Sequence, residues 1–416
     1  MSLKFDKLVS QVKTMGRAIA HKTETLSERG ERALGLLMGA DDLTELHRKI
    51  IVVRDKDAGY RGAAPHREPI NHPYGGSPAP DKAIIAAADG SQIYPDYHAS
   101  ALYYLTNIGV FTYYHGTDAL PSEVSEPYLY YTDAELRERN GHGSIIKNVV
   151  VNARRDVQEI RALTEICWSV RDAGMPILGL RDGPLLWWLG NDIEHGKSLE
   201  RDYFNALQVF YEETHLYALG NHGCNASLAG YVDRGDSRFV VRLLHLLTLE
   251  DDEITRSTLE TAGPFEGLTD DYLFGRLLSP GQRSAVMIQQ SPQNRDYRKD
   301  LGQPYEITFF YLNVGIWGKA NIVRVEVPMW VAEAKGAVDE VQSLILSQCA
   351  KTGRYPYALM RADELAVIGS LEKRQLDEMI AIELLRNQQD VEVSAKQEGK
   401  AQARGKRQRY GQPSKS

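Results

Sequence analysis

The sequence predicts a mixed α/β fold, a β-sheet flanked by helices, with a helical amino-terminal extension and a helical carboxyl-terminal part. Three observations carry this expectation. Short apolar runs bounded by turn formers, such as Ala83 to Ala88 and Ile177 to Leu180, alternate with segments of helical apolar spacing. Two late β-rich stretches, 305–313 and 321–327, add an antiparallel pair to strands interleaved with helices. Finally, 43% hydrophobic and 25% charged residues over a chain of 416 exclude disorder of the whole and allow a sizeable core.

Residues 1–56 recur in apolar character every three to four positions (Leu3, Val9, Val12, Met15, Ile19, then Leu34, Leu37, Leu43, Leu46) and predict a helical extension. The Pro/Gly-dense stretch 57–81 propagates neither helix nor central strand and is read as a linker. The main domain is expected over 82–389. Ala83 to Ala88 suits a strand buried on both faces and stops at Asp89-Gly90-Ser91. Leu102 to Tyr114 reads as one long strand or a hairpin, and Pro121 to Pro127 as loop.

From Val150 to Arg171 one stripe gathers Val150, Ala153, Val157, Ile160, Thr164, Cys167 and Val170, the pattern of a helix packed on a sheet. A second short strand, 176–180, ends at Asp182-Gly183-Pro184. Helices are expected at 199–218, 238–247, 331–350, 358–368 and 371–388, and strands at 227–232 and 284–289. The tail, 390–416, holds seven Lys/Arg from Lys396 onward against Glu398 alone. It reads as a disordered basic arm on an acidic body, the chain's net charge being −7.

Several classes are excluded. No apolar stretch approaches the roughly 18 residues of a membrane span. The amino terminus lacks the apolar core of a secretory signal, so a cytoplasmic location is expected. Cys167, Cys224 and Cys349 are odd in number and widely spaced, which argues against a disulfide frame. His215, His222 and Cys224 lack the fourth ligand and spacing of a zinc site. No glycine-rich phosphate loop is present, which weighs against phosphotransfer.

The chemistry is expected at the two strand-Asp-Gly motifs. Aspartates at the carboxyl ends of buried strands meet where an open α/β sheet exposes its crevice, so Asp89 and Asp182 are candidate partners. Converging carboxylates suit magnesium or manganese, although Asp-Gly is equally a common turn dipeptide. A third carboxylate is sought on the intervening helix. Glu159 heads a row with Leu163, Ile166 and Val170, whereas Glu165 shares a face with Gln158, Arg161, Ser169 and Asp172. This ranks Glu159 first, Glu165 second and Asp156 third.

These stretches resemble the NurA nuclease domain family. The matching blocks, in order, are Ala88-Asp89-Gly90-Ser91-Gln92-Ile93-Tyr94-Pro95, Arg155 to Leu163, Leu180-Arg181-Asp182-Gly183-Pro184-Leu185, and Leu228-Ala229-Gly230-Tyr231-Val232. They continue with Leu277 to Ser284, Phe310-Tyr311-Leu312, Arg324 to Pro328 with Trp330-Val331-Ala332, and Tyr355-Pro356-Tyr357-Ala358-Leu359 followed by Ala362-Asp363. The resemblance covers residues 80 to 370 and implies an RNase H-like core in a homodimer. It further implies a manganese-dependent DNA nuclease working with a hexameric HerA-type helicase/translocase in the resection of double-strand ends.

By position in those blocks, the resemblance implies Asp89, Glu159 and Asp182 as metal-binding carboxylates for two ions of manganese or magnesium. Where the family commonly has a histidine eight residues after its tyrosine, this chain has Asp363 after Tyr355. That keeps a possible ligand and removes an imidazole that titrates near neutrality. Tyr355 is a candidate for orienting a phosphate or water. An acidic body still needs local cations to attract DNA, and Arg276, Arg283, Arg295, Arg298 and Lys299 are the candidates. Trp187 and Trp188 offer faces for stacking on a base or for packing. The alternative function is a non-catalytic RNase H-like adaptor capping a DNA translocase.

Overall fold

The computed structural model describes residues 4–56, 59–138, 144–187, 196–216, 226–233, 235–315 and 318–389. Nine strands form one mixed sheet: β1 (Ala63–Pro65), β2 (Ala83–Ile93), β3 (Tyr104–His115), β4 (Ser122–Tyr130), β5 (Ile177–Asp182), β6 (Ala226–Val232), β7 (Met287–Gln289), β8 (Ile307–Asn313) and β9 (Ile322–Pro328). Their spatial order is β1-β7-β8-β9-β6-β5-β2-β3-β4. Strands β2, β3 and β4 are antiparallel neighbours, and β5 and β6 run parallel to β2. These five strands form the central sheet, extended on the β6 side by an antiparallel wing of β9, β8, β7 and β1.

The helices are α1 (Val9–Gly39), α2 (Leu43–Asp55), α3 (Asn148–Ser169), α4 (Gly196–Val209), α5 (Phe239–Leu247), α6 (Asp270–Leu277), α7 (Pro292–Asp300), α8 (Ala337–Thr352), α9 (Tyr357–Ala366) and α10 (Ser370–Arg386). A first core joins β2, β5 and β6 to α3, α4, α8 and α9, with Ile84, Ala86, Ile160, Leu163, Leu180 and Leu359 all buried. The continuous apolar run of β2 is explained by helices on both of its faces. A second core packs α1, α2, α5 and α6 against β7 and β8 around Leu37, Leu244, Phe265 and Phe309. Among the described residues no helix is long and apolar enough to cross a membrane.

Several expectations about elements are corrected. The 121–127 loop is instead the start of β4, an edge strand largely exposed, whose Ser-Glu-Val-Ser-Glu sequence lacks a buried face to announce it. Pro127 is tolerated there because an outer strand has no second partner to donate to. The 331–350 helix is broken, Met329–Glu333 forming one short turn and α8 starting after Gly336, which adopts a left-handed φ of 78°. The helix expected at 199–218 widens after Val209 into a π-helical segment, Phe210–Leu216. The strand expected at 284–289 shrinks to three residues. The stretch 57–81 contains β1, and Tyr60 and Ile70 within it are buried, so this segment lies against the wing. The basic tail falls outside the described residues.

Candidate active site at the open end of β5

Register and alternation decide which side chains can meet. Along a strand successive side chains point to opposite faces, while directly paired residues share one. Asp89 pairs with Gly109, and a Cβ on Gly109 would run into the backbone of Ala362 and Ala366 in α9. The missing side chain lets α9 lie directly on β3, and Asp89 therefore faces α9. Ser91 Oγ and Asn107 Nδ2 both donate to the Ala366 carbonyl, at 2.5 and 2.9 Å, and pin the helix end there. Gly90 faces the other way: a Cβ there would stand 2.6 Å from Arg155 Cγ and 2.9 Å from Glu159 Oε1, both on α3.

Asp89 differs from expectation in its place on the strand. It does not end β2, which continues to Ile93 because β3 supplies partners as far as Leu105. Asp182 does end β5, and Gly183 then turns with a φ of 92° while its N–H donates to the Tyr231 carbonyl at 2.8 Å. The parallel pairing of Ala88 with Arg181 puts Asp182 on the Asp89 face. The acids therefore meet where β5 stops and β2 runs on.

On that face the charges of Asp89, Asp182 and Asp363 bear on one another. Burial first, then the neighbouring Asp182 and Asp363, push the Asp89 carboxyl up to about 6, against the Gly90 N–H it accepts at 2.7 Å. Burial also raises Asp182, opposed chiefly by the hydrogen bond donated by the Tyr355 hydroxyl. Burial and the adjoining Asp182 raise Tyr355 well above the usual phenol range, so it remains a donor at neutral pH. Tyr355 packs edge-on to Tyr231, their centroids 5.3 Å apart. Asp233, just past β6, adds to the negative field, and the sequence reading had overlooked it.

A cavity of about 570 Å³ opens beside this cluster, lined by Asp233, Tyr355, Lys319, Asn321 and Arg354. Lys319 and Arg354 are thus the cations of the cavity wall, and neither stood out in sequence because each is a single charge in a loop.

Glu159 lies on the opposite face, fully engaged. Its Oε2 accepts from Arg181 Nε at 2.8 Å and its Oε1 pairs with Arg155 Nε at 3.1 Å. Asp156 completes the set, 2.8 Å from Arg181 and 3.0 Å from Arg155. Burial pushes the Glu159 carboxyl up to about 7 against the pull of Arg181. The expected trio of Asp89, Glu159 and Asp182 is therefore not brought together by this structure; alternation across β2 sends Glu159 to the arginines behind Gly90. Glu165 is exposed. Among the described residues no three His, Cys, Asp or Glu side chains stand close enough to hold a metal ion together.

The other candidates divide. Arg283 is corrected from a surface contact to a buried ion: it meets Glu68 at 2.8 Å and Asp339 at 3.1 Å and lies 4.7 Å over the Tyr74 ring. Arg276 stacks on Tyr272 at 3.6 Å. Arg295, Arg298 and Lys299 are exposed on α7, at the far wing of the sheet. Of its two alternatives Trp187 takes packing: it stacks on Tyr203 at 5.3 Å and donates Nε1 to Asp156 at 2.8 Å. Trp188, His222 and Cys224 lie outside the described residues, while His215 is buried with Nδ1 3.2 Å from the Ala226 carbonyl. Glu326, also overlooked, is fully buried and accepts from the Leu185 and Leu186 N–H groups at 2.8 and 3.1 Å, fixing the loop that follows Asp182. Its only signal was a polar residue alternating with valines in β9.

Comparison with solved structures returns the NurA nuclease from Sulfolobus solfataricus, with a TM-score of 0.46 and 12% identity over 92% of this chain and 97% of that one. Aa-Ago with externally bound siRNA gives 0.27 and 12% over 70% and 28%, and LC9-RNase H1, a type 1 RNase H with the type 2 active-site motif, gives 0.18 and 11% over 42% and 76%. No curated protein matches. The NurA domain itself matches residues 83–368, more than half of the sequence and the whole span from β2 through α9, and the chain belongs to the NurA domain family.

Proposed function

We propose that the chain is a metal-dependent deoxyribonuclease that hydrolyses phosphodiester bonds as an exonuclease, with endonuclease activity as a further capacity. The observation that supports this most is the meeting of Asp89, Asp182, Asp363 and Tyr355 beside an open cavity whose walls carry Lys319 and Arg354. Burial first, and then the like charge of Asp182 and Asp363, raises Asp89, and a cation among these acids would offset the second of these effects. The donor set is all carboxylate oxygen, which suits manganese or magnesium. In this reading Asp89, Asp182 and Asp363 would be the ligands; as placed, no three carboxylates of the described residues stand close enough to share an ion, so binding would have to draw these acids together. Glu159 acts from behind the sheet by holding Arg181 and Arg155, the latter's charge reaching Asp89. Bound cations, two in this reading, would activate a water and offset charge on the leaving 3′-oxygen.

The chain's own residues supply position. Tyr355 holds Asp182 by its hydroxyl, Gly183 and Glu326 fix the turn behind it, and Lys319 and Arg354 draw the substrate phosphates into the cavity. Family membership supports DNA as substrate, a HerA-type hexameric ATPase and a second copy of this chain as partners, and a role in DNA end resection, repair or defence. The adaptor reading, without catalysis, draws on Glu159 being held by two arginines.

The test is cleavage of end-labelled linear single- and double-stranded DNA with manganese, magnesium or chelator, with and without the ATPase. Cutting that needs the metal supports the nuclease, and a folded protein that cuts nothing under any condition supports the adaptor. Tyr355→Phe removes a hydrogen bond to a carboxylate, worth about 1.5–3 kcal/mol, and is expected to lower kcat about tenfold or more while DNA affinity holds. An unchanged kcat would remove Tyr355 from the site.

A further inference from the structure

We propose that a basic groove on the β1–β7 edge of the sheet is a second DNA-binding surface, gripping the phosphate backbone at a distance from the acids. Its ligand class rests on the nuclease reading. Three cavities meet at Gln290, which lines each of them. One, of about 540 Å³, lies between α2 and α7 and holds Arg54, Arg295, Arg298 and Lys299, with His47 and His66. Another, of about 390 Å³, is lined by Arg61, Arg238 and Arg242. A small cavity of about 40 Å³ joins them and shares Arg54 and Arg295 with the first and Ser291 with the second.

The acids in these walls are Glu306 and Asp236. Arg298 lies 3.8 Å from Glu306, and Arg238 is taken by Glu266 at 2.8 Å. Arg54, Arg295 and Lys299 are exposed and form no salt bridge with any described residue. His66 Nε2 is buried in the same wall and has no hydrogen-bond partner among the described residues. Arg54 shares the field of Glu306 with Arg298, so the cations of these walls outnumber their acids; gathering them costs repulsion, and in a chain of net charge −7 it marks a place for an anion. The shape selects the kind: a connected groove with guanidinium forks along it and Gln290, Ser291 and Gln293 between them fits a linear polyanion better than a compact phosphate.

The site is separate from the catalytic face. The strand order places six strand spacings between β1 and β2, about 29 Å at 4.8 Å each. At about 3.4 Å per nucleotide along a strand, only a DNA longer than about nine nucleotides reaches both. Long substrates thus gain affinity from both surfaces at once, whereas short ones occupy one at a time.

The test uses the full chain carrying Arg54→Gln, Arg295→Gln and Lys299→Gln together, checked by thermal melting, with each single variant in parallel. Binding is read by fluorescence anisotropy in an Asp89→Asn background, on a labelled 8-mer and a 30-base-pair duplex between 50 and 200 mM salt. The triple variant is expected to bind the duplex about tenfold or more weakly, with the slope of log K against log salt reduced by about 2 to 3, and to weaken the 8-mer, which cannot span both surfaces, by a smaller factor. In the cleavage-competent chain the variant raises KM on the duplex and leaves kcat as it was. An unchanged salt slope overturns the groove, as does competition by polyglutamate as strong as that by DNA of equal charge. A wild-type chain that cuts nothing removes the nuclease reading alone, because the binding measurement still decides the groove.

Discussion

Replacing Asp89 with asparagine is expected to abolish cleavage and, at the same time, to raise the stability of the cation-free protein. The first effect follows from the loss of a ligand charge at constant side-chain volume, and a drop of about a thousandfold or more is anticipated for a group of this kind. The second follows from linkage. The Asp89 carboxyl rises from 3.8 to about 6 on folding, so the folded state favours its protonated form. Its contribution is fully present below about pH 4 and is lost as pH rises through about 6, leaving the ionised group a cost at neutral pH. Two units correspond to about 3 kcal/mol, and partial exposure of Asp89 reduces this to about 1–2. Asparagine carries no such cost. Urea unfolding of both proteins at pH 7.5 with chelator, then with manganese, checks the argument: the variant starts more stable and gains nothing from the metal. A variant that cuts like wild type ends the assignment.

Arg181→Met is expected to be among the most destabilising single substitutions available, by about 3–5 kcal/mol, because it strands a buried carboxylate. Arg181 and Glu159 are both almost wholly buried, with 5% and 2% of their side chains exposed, and Arg155 alone is left to hold Glu159. The double variant Arg181→Met, Glu159→Leu is expected to recover most of the loss, since a well-packed apolar pair can replace a buried ion pair at little cost. Denaturant midpoints for the two single variants and the double close this cycle. A single variant as stable as wild type would mean that the pair is not formed. Cleavage by the double variant then separates the roles of Glu159. Activity retained in a stable double variant agrees with support from behind the sheet; activity lost there returns Glu159 to the ligands.

Much of the site was legible along the chain. Asp89 and Asp182 were marked by the apolar runs that precede them and by the glycines that follow, and local spacing was enough to favour Glu159 over Glu165 as the buried acid of α3. Arg181 was adjacent to Asp182 and passed unnoticed, because a charge inside a strand pattern carries no partner with it. Arg283 was misplaced for the same reason: its partners Glu68 and Asp339 are distant in sequence.

What the sequence determined by itself is what depends on near neighbours: the helical and strand periods, the turn glycines, the charge of the tail and the acid at the end of β5. Tertiary structure decided what depends on register. Whether β2 stops at Asp89 or runs on to Ile93 is set by β3, and the face on which Asp89 lies is set by its pairing with Gly109 beneath α9. One position along a strand separates the acid that joins Asp182 from the glycine that backs onto Glu159. A side-chain period of two turns that single step into opposite faces of the sheet, and only the assembled sheet fixes the step.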